Sequence, residues 1–150
     1  MKLAEALILR KDLQTRLVRI QERLNANVLV QEGDCPSEDP AELIKRLNET
    51  CTELNTLIFR INKTNSGTLM DGRPLADAIT ERDLNLRKIS ILRSALKKAA
   101  DRPSRYSQKE IRLLTPLDVQ KEEKIVDRLC YDIRALDAKI QGKNWEVELL

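Results

Sequence analysis

With 150 residues, 41% of them hydrophobic and 34% charged, and a net charge of +3, the chain has the make-up of one soluble, helix-rich domain with a core of its own. Only 3% of residues are aromatic and only four are glycine, so the core must be aliphatic and an all-β fold is disfavoured. Histidine is absent, which removes the usual general base near neutral pH, the commonest metal ligand, and every Ser-His or Cys-His nucleophile pair.

From Lys2 to about Asn25, Ala6, Leu9, Leu13, Leu17, Ile20 and Leu24 recur at steps of three and four, the pattern of one buried helical face. A β-prone Val28-Leu29-Val30 and a run of turn residues follow. Asp39-Pro40 then reads as an N-cap with proline at the first helical position, opening a second helix to about Lys63. Its face carries Leu43, Leu47, Leu54, Ile58 and Ile61, with Cys51 among them. Thr64-Asn65-Ser66-Gly67 ends it, and a glycine-containing loop runs to Pro74.

A third helix spans about Leu75 to Asp101, through Ile79, Leu86, Ile89 and Leu96, and Pro103 breaks it. Ile111 to Thr115 can form a short strand, and Thr115-Pro116 or Asp118 begins a last helix reaching about Asn144. Val126, Leu129, Ile133, Leu136 and Ile140 give that helix the narrow seam of a coiled coil. The expected fold is all-α, one domain over residues 1–150, with four long helices in an antiparallel up-down-up-down bundle. The two strand-like inserts, Asn27 to Gln31 and Ile111 to Thr115, fall at one end and are expected to pair as a small two-stranded ribbon.

The opposite end collects polar residues. Continuing the seams by three or four places Asn65, Arg82 and Asn144 there, with Asn62, Thr64, Asp77 and Asp83 nearby. A buried guanidinium needs an acid, and Asp77, Asp83 or Glu5 could supply it. These residues either cap helix ends and set register or form a small pocket for a ligand, an anion held by Arg82 among them; the capping role is the simpler expectation.

Residues 84–109 hold Arg87, Lys88, Arg93, Lys97, Lys98, Arg102, Arg105 and Lys109 against the single acid Asp101. That run could meet phosphates of a nucleic acid, but Tyr106 is its one aromatic, and a solvated face paired with the acidic fourth helix is the preferred reading. The acidic loop Glu32, Asp34, Glu38 and Asp39 lacks an EF-hand pattern. Glu122, Glu123 and Asp127 fit no magnesium motif, so no metal or other cofactor is expected. Cys51 and Cys130 read as small core residues, and Cys35, before Pro36, as an exposed thiol. The N-terminal stretch shows no signal-peptide core and no segment approaches the length of a membrane span, which places the protein in the cytosol.

KLAEAL at the start, NANVLVQEGDCPSEDP, RINKTN, the Leu75 to Asp83 segment, Glu110-Ile111 and IRALDAKIQGKNW together resemble the uncharacterised bacterial septicolysin-like family. That resemblance implies a small, all-helical, oligomeric protein of unknown activity, with Gln31, Glu32, Gly33, Asn62, Thr64, Asn65, Arg82, Asp83, Gln141, Asn144 and Trp145 among its matching polar positions. The name suggests a cytolysin; the chain offers no export signal and no basic amphipathic helix with aromatic anchors. The expectation is therefore a non-enzymatic, self-associating helical protein. A ligand site around Asn62, Asn65, Arg82 and Asp83 is the alternative, and nucleic-acid binding through residues 84–109 a further one.

Overall fold

A computed structural model describes residues 1–100 and 114–150. It is all-α, with four long helices, α1 (Leu3–Asn27), α2 (Pro40–Gly67), α3 (Leu75–Ala100) and α4 (Val119–Glu146), and a two-stranded antiparallel ribbon, β1 (Leu69–Met70) and β2 (Arg73–Pro74). The expected fold class is the observed one, but the ribbon lies elsewhere. Asn27 ends α1, and residues 28–31 form no strand. Its expected partner, Ile111 to Thr115, falls largely outside the described residues, and Thr115 itself is irregular.

Local chemistry explains both outcomes. The Asn27 side chain closes α1, its Nδ2 donating to the Arg23 carbonyl and its Oδ1 accepting from Glu38 N–H, each at 2.9 Å. The returning loop is thereby pinned to the helix end rather than left to pair as a strand. Met70-Asp71-Gly72-Arg73 turns with φ of 52° at Asp71 and 81° at Gly72. Positive φ at both central residues is the hairpin turn that an Asp-Gly pair favours, because its twist matches that of the flanking strands.

Contacts divide the chain into two compact units, Met1–Ala76 with Gln141–Leu150, and Asp77–Ile140. In the first, α1 and α2 pack as an antiparallel pair. Arg16 reaches Glu53, and Arg23, near the end of α1, binds Glu38, just before α2. Leu3, Leu13 and Ile20 are buried, as are Leu43, Leu54, Leu57 and Ile61. Asp39 caps α2, its carboxylate accepting from Ala41 N–H at 2.9 Å with Pro40 inside the first turn. In the second unit, Ile89 and Leu96 of α3 form a core with Val126 and Ile133 of α4, edged by Leu92, Val119, Leu129 and Cys130.

Two expected seam residues are outside the core. The buried row of α2 runs Thr50, Leu54, Leu57, Ile61, Thr64, so Cys51, one residue round from Thr50, is exposed. Leu86 is 49% exposed, because the inward row of α3 passes through Arg82, Asn85, Ile89 and Leu92 instead.

Candidate functional site

In the first unit, Thr64 is fully buried, and its hydroxyl donates to the Arg60 carbonyl at 2.9 Å while accepting from Leu150 N–H at 3.0 Å. Arg60 Nε donates to the Leu150 carbonyl at 2.8 Å. The segment after α4 is tied to the end of α2 in this way. It is also bridged to the start of the chain, Leu3 N–H donating to Val147 O and Leu149 N–H to Met1 O, both at 2.9 Å. Lys2 Nζ lies 2.8 Å from Glu148 Oε1, and hydrogen bonds from Lys2 and the Met1 amino group hold the Glu148 carboxyl below its ordinary range.

Asn144, 3% exposed, belongs to this unit too, and its Oδ1 has no hydrogen-bond partner among the described residues. A buried acceptor of this kind costs about 1–3 kcal/mol. Asn65 is half-buried, while Asn62, Gln141 and Trp145 are exposed. The motif residues of INKTN thus divide: Thr64 holds the C-terminal segment, and the amides on either side face outward or lie at the edge.

Arg82, Asp83 and Asp77 fall in the second unit. Arg82 sits on the inward row of α3 with its side chain 21% exposed. Its Nε and Nη2 each lie 2.9 Å from Asp83 Oδ1, and its Nη1 donates to Asp137 Oδ1 of α4, also at 2.9 Å. Burial pulls the guanidinium pKa down, but hydrogen bonds to Asp137 and Asp83 outweigh it and leave the value above the ordinary arginine range. Arg82 is therefore a permanent cation.

Of the acids expected for Arg82, Asp83 is used. Glu5 instead accepts from Lys2 N–H at 2.7 Å at the start of α1, and Asp77 is exposed. Asp137 was not anticipated. Its part in the site depends on which helices meet, and no local sequence pattern marks it. Arg82, Asp83, Arg134 and Asp137 surround an open hollow of about 400 Å³ floored by Leu86, Ile133 and Ala138. Two guanidiniums and two carboxylates make it electrically balanced, and it holds no nucleophile paired with a base.

The other singled-out residues have simpler places. Gln31, Glu32 and Gly33 form a tight turn closed by Asp34 N–H on Gln31 O at 3.0 Å, with Gly33 at φ 95°. The basic residues Arg87, Lys88, Arg93, Lys97 and Lys98 are exposed along α3. Arg93 Nη2 reaches Cys130 Sγ at 3.3 Å. Arg102, Arg105 and Lys109 lie outside the described residues. Among the described residues no helix is long and apolar enough to cross a membrane.

Comparison with known proteins replaces the septicolysin-like resemblance. Residues 10–149 match the model of a family of unknown function, DUF6847. The fold is shared with the crystal structure of a functionally unknown conserved protein from Corynebacterium diphtheriae, 38% identical, covering 100% of this chain and 99% of that one with a TM-score of 0.91. None of the curated proteins compared with the chain matches it. Neither match points to septicolysin. The chain belongs to the DUF6847 family, a family of unknown function.

Proposed function

We propose that this protein is a non-catalytic, self-associating helical protein of the cytosol. The observation that carries the reading is the way its helix pairs bury their seams. Along α1, Ala6, Leu13 and Ile20 are buried while Leu9, Leu17 and Leu24, on the alternate row, stay half-exposed. Along α4, Val126, Ile133 and Ile140 are buried, and Leu129 and Leu136 are half-exposed. A seam closed on both sides buries both rows, so an open row of leucine is an apolar edge that a further helix covers. Large apolar side chains elsewhere add to the uncovered area, among them Phe59 at 69% and Leu84 at 66% exposure. Light scattering at micromolar concentration tests the reading: the expected mass is a multiple of the chain mass, and a clean monomer contradicts it.

A second reading is favoured by the hollow beside Arg82. There a small molecule bearing both charges would meet Arg82, Arg134, Asp83 and Asp137 around an apolar floor. A thermal-shift screen of small zwitterions and anions, run on the natural chain and on Arg82→Ala, checks it. A stabilising compound that loses its effect in the variant supports the site; one that stabilises both equally removes it.

A further inference from the structure

The second half of α3 is one-sided in charge. Residues 84–100 include Arg87, Lys88, Arg93, Lys97 and Lys98 and no Asp or Glu, and all five cations are exposed. The acids of α4, expected to answer this run, do not pair with it. Asp132 pairs with Arg128 of its own helix, and Asp137 with Arg82. Among the described residues none of the five cations has a carboxylate partner, and Arg93 reaches the Cys130 sulfur instead.

Four of the cations stand on one stripe. At about 100° per residue, Arg87, Ser90, Arg93, Ser94, Lys97 and Lys98 share an arc of about 140°, and no other residue between Arg87 and Lys98 lies on it. All six are exposed. At about 1.5 Å per residue the stripe is about 16 Å long. Guanidinium and ammonium groups donate hydrogen bonds and accept none, so the matching occupant is an acceptor that carries its own row of negative charges.

The surroundings narrow its chemistry. Ile89, Leu92 and Leu96, on the apolar side of α3, are taken up by the core shared with α4. Leu84, Leu86 and Ile91 remain exposed, without the aromatic anchors and broad apolar face of a helix that lies on a bilayer. The stripe has no aromatic side chain on which an unpaired base could stack, as single-strand binders do. A duplex, with one negative charge per about 1.7 Å of its axis, meets such a stripe through phosphates alone.

We propose that the Arg87 to Lys98 stripe of α3 binds the phosphate backbone of a nucleic-acid duplex. The inference is independent of self-association, since it rests on a different surface and a different partner.

The test is a salt titration of binding. Fluorescein-labelled DNA and RNA duplexes are titrated side by side with the natural chain, followed by anisotropy, and at least one binds at low salt. Its affinity falls with salt at a logarithmic slope of about −0.9 for each phosphate neutralised. Lys97→Gln, Lys98→Gln keeps its helical circular dichroism and flattens that slope by about two. Lys11→Gln, Arg19→Gln removes as much charge from exposed positions of α1 and leaves the slope as it was. The proposal is overturned if neither duplex binds at low salt, or if the two double variants flatten the slope equally, which would make net charge the cause. It is also overturned if polyglutamate or phosphatidylserine vesicles displace the duplex at equal charge, since the stripe would then favour an acidic protein or a membrane surface.

Discussion

The two units keep polar groups in contact with their cores by different means. In Met1–Ala76 with Gln141–Leu150, the fully enclosed polar side chains are the neutral Asn27, Thr50, Thr64 and Asn144, and the first three bond to backbone groups. In Asp77–Ile140 the polar residue on the inward row is a cation, Arg82, held between Asp83 and Asp137. A neutral side chain bonded to nearby backbone needs little desolvation and seals a helix end. An arginine must keep its acids, because a charge left unpaired in a partly buried place is expensive. The first unit is therefore fastened by its chain ends and turns, and the second by a cross-helix ion pair.

Emptying a core position breaks the comparison most severely. Leu13 is completely buried, and Leu13→Ala is expected to lower stability by about 2–5 kcal/mol, read as a fall in the urea midpoint with helicity lost cooperatively.

Next in size are the polar fastenings, which separate the units. Thr64→Val keeps the shape but removes the acceptor for Leu150 N–H, and about 1–3 kcal/mol is expected. Hydrogen exchange should show the loss in residues 147–150 first. Arg82→Ala leaves Asp137 without its cation, with a similar loss of about 1–3 kcal/mol, since the site is only partly screened from water. Exchange should then quicken in α3 and α4. Protection lost equally throughout the chain in both variants would show that the two fastenings are not local.

Acid gives the smallest effect and the sharpest contrast in sign. Glu148 and Glu38 have folded pKa values below the ordinary 4.5, the first through Lys2 and the second through the hydrogen bond from Arg23. Their contribution is complete above that ordinary value and disappears as pH falls through the depressed one. The guanidinium of Arg82, raised instead, does not titrate in this range. Unfolding between pH 7 and pH 3 should therefore lose stability at the low end, and the Glu38→Gln, Glu148→Gln double variant should flatten that fall. An unchanged acid profile would remove these two pairs from the account.

Much of this architecture was legible in the sequence, and the exceptions have physical reasons. The inward faces of α1 and α4 follow from one clear row of aliphatic residues, and Asp39-Pro40 announces the start of α2. The face of α2 was harder, because Thr50 and Thr64 are buried beside aliphatic residues and Cys51 is not; a threonine that bonds back to its own helix behaves as a small apolar group. The ribbon was sought in β-branched Val28-Leu29-Val30, yet the turn Asp71-Gly72 decides hairpin formation and the strands beside it are only two residues each. In the candidate site Asp83 was one of three acids expected for Arg82, beside Asp77 and Glu5, and it is the one that pairs. Asp137, fifty-five positions along the chain, depends on which helices meet, and no local pattern carries that. The ties of Leu150 to Thr64 and Arg60 are equally non-local.

The half-covered rows of α1 and α4 are what the proposed self-association rests on. Sedimentation equilibrium of the natural chain at micromolar concentration tests it most directly. The proposal predicts a mass that is a multiple of the chain mass, falling on dilution, and a single-chain mass across the whole concentration range would contradict it.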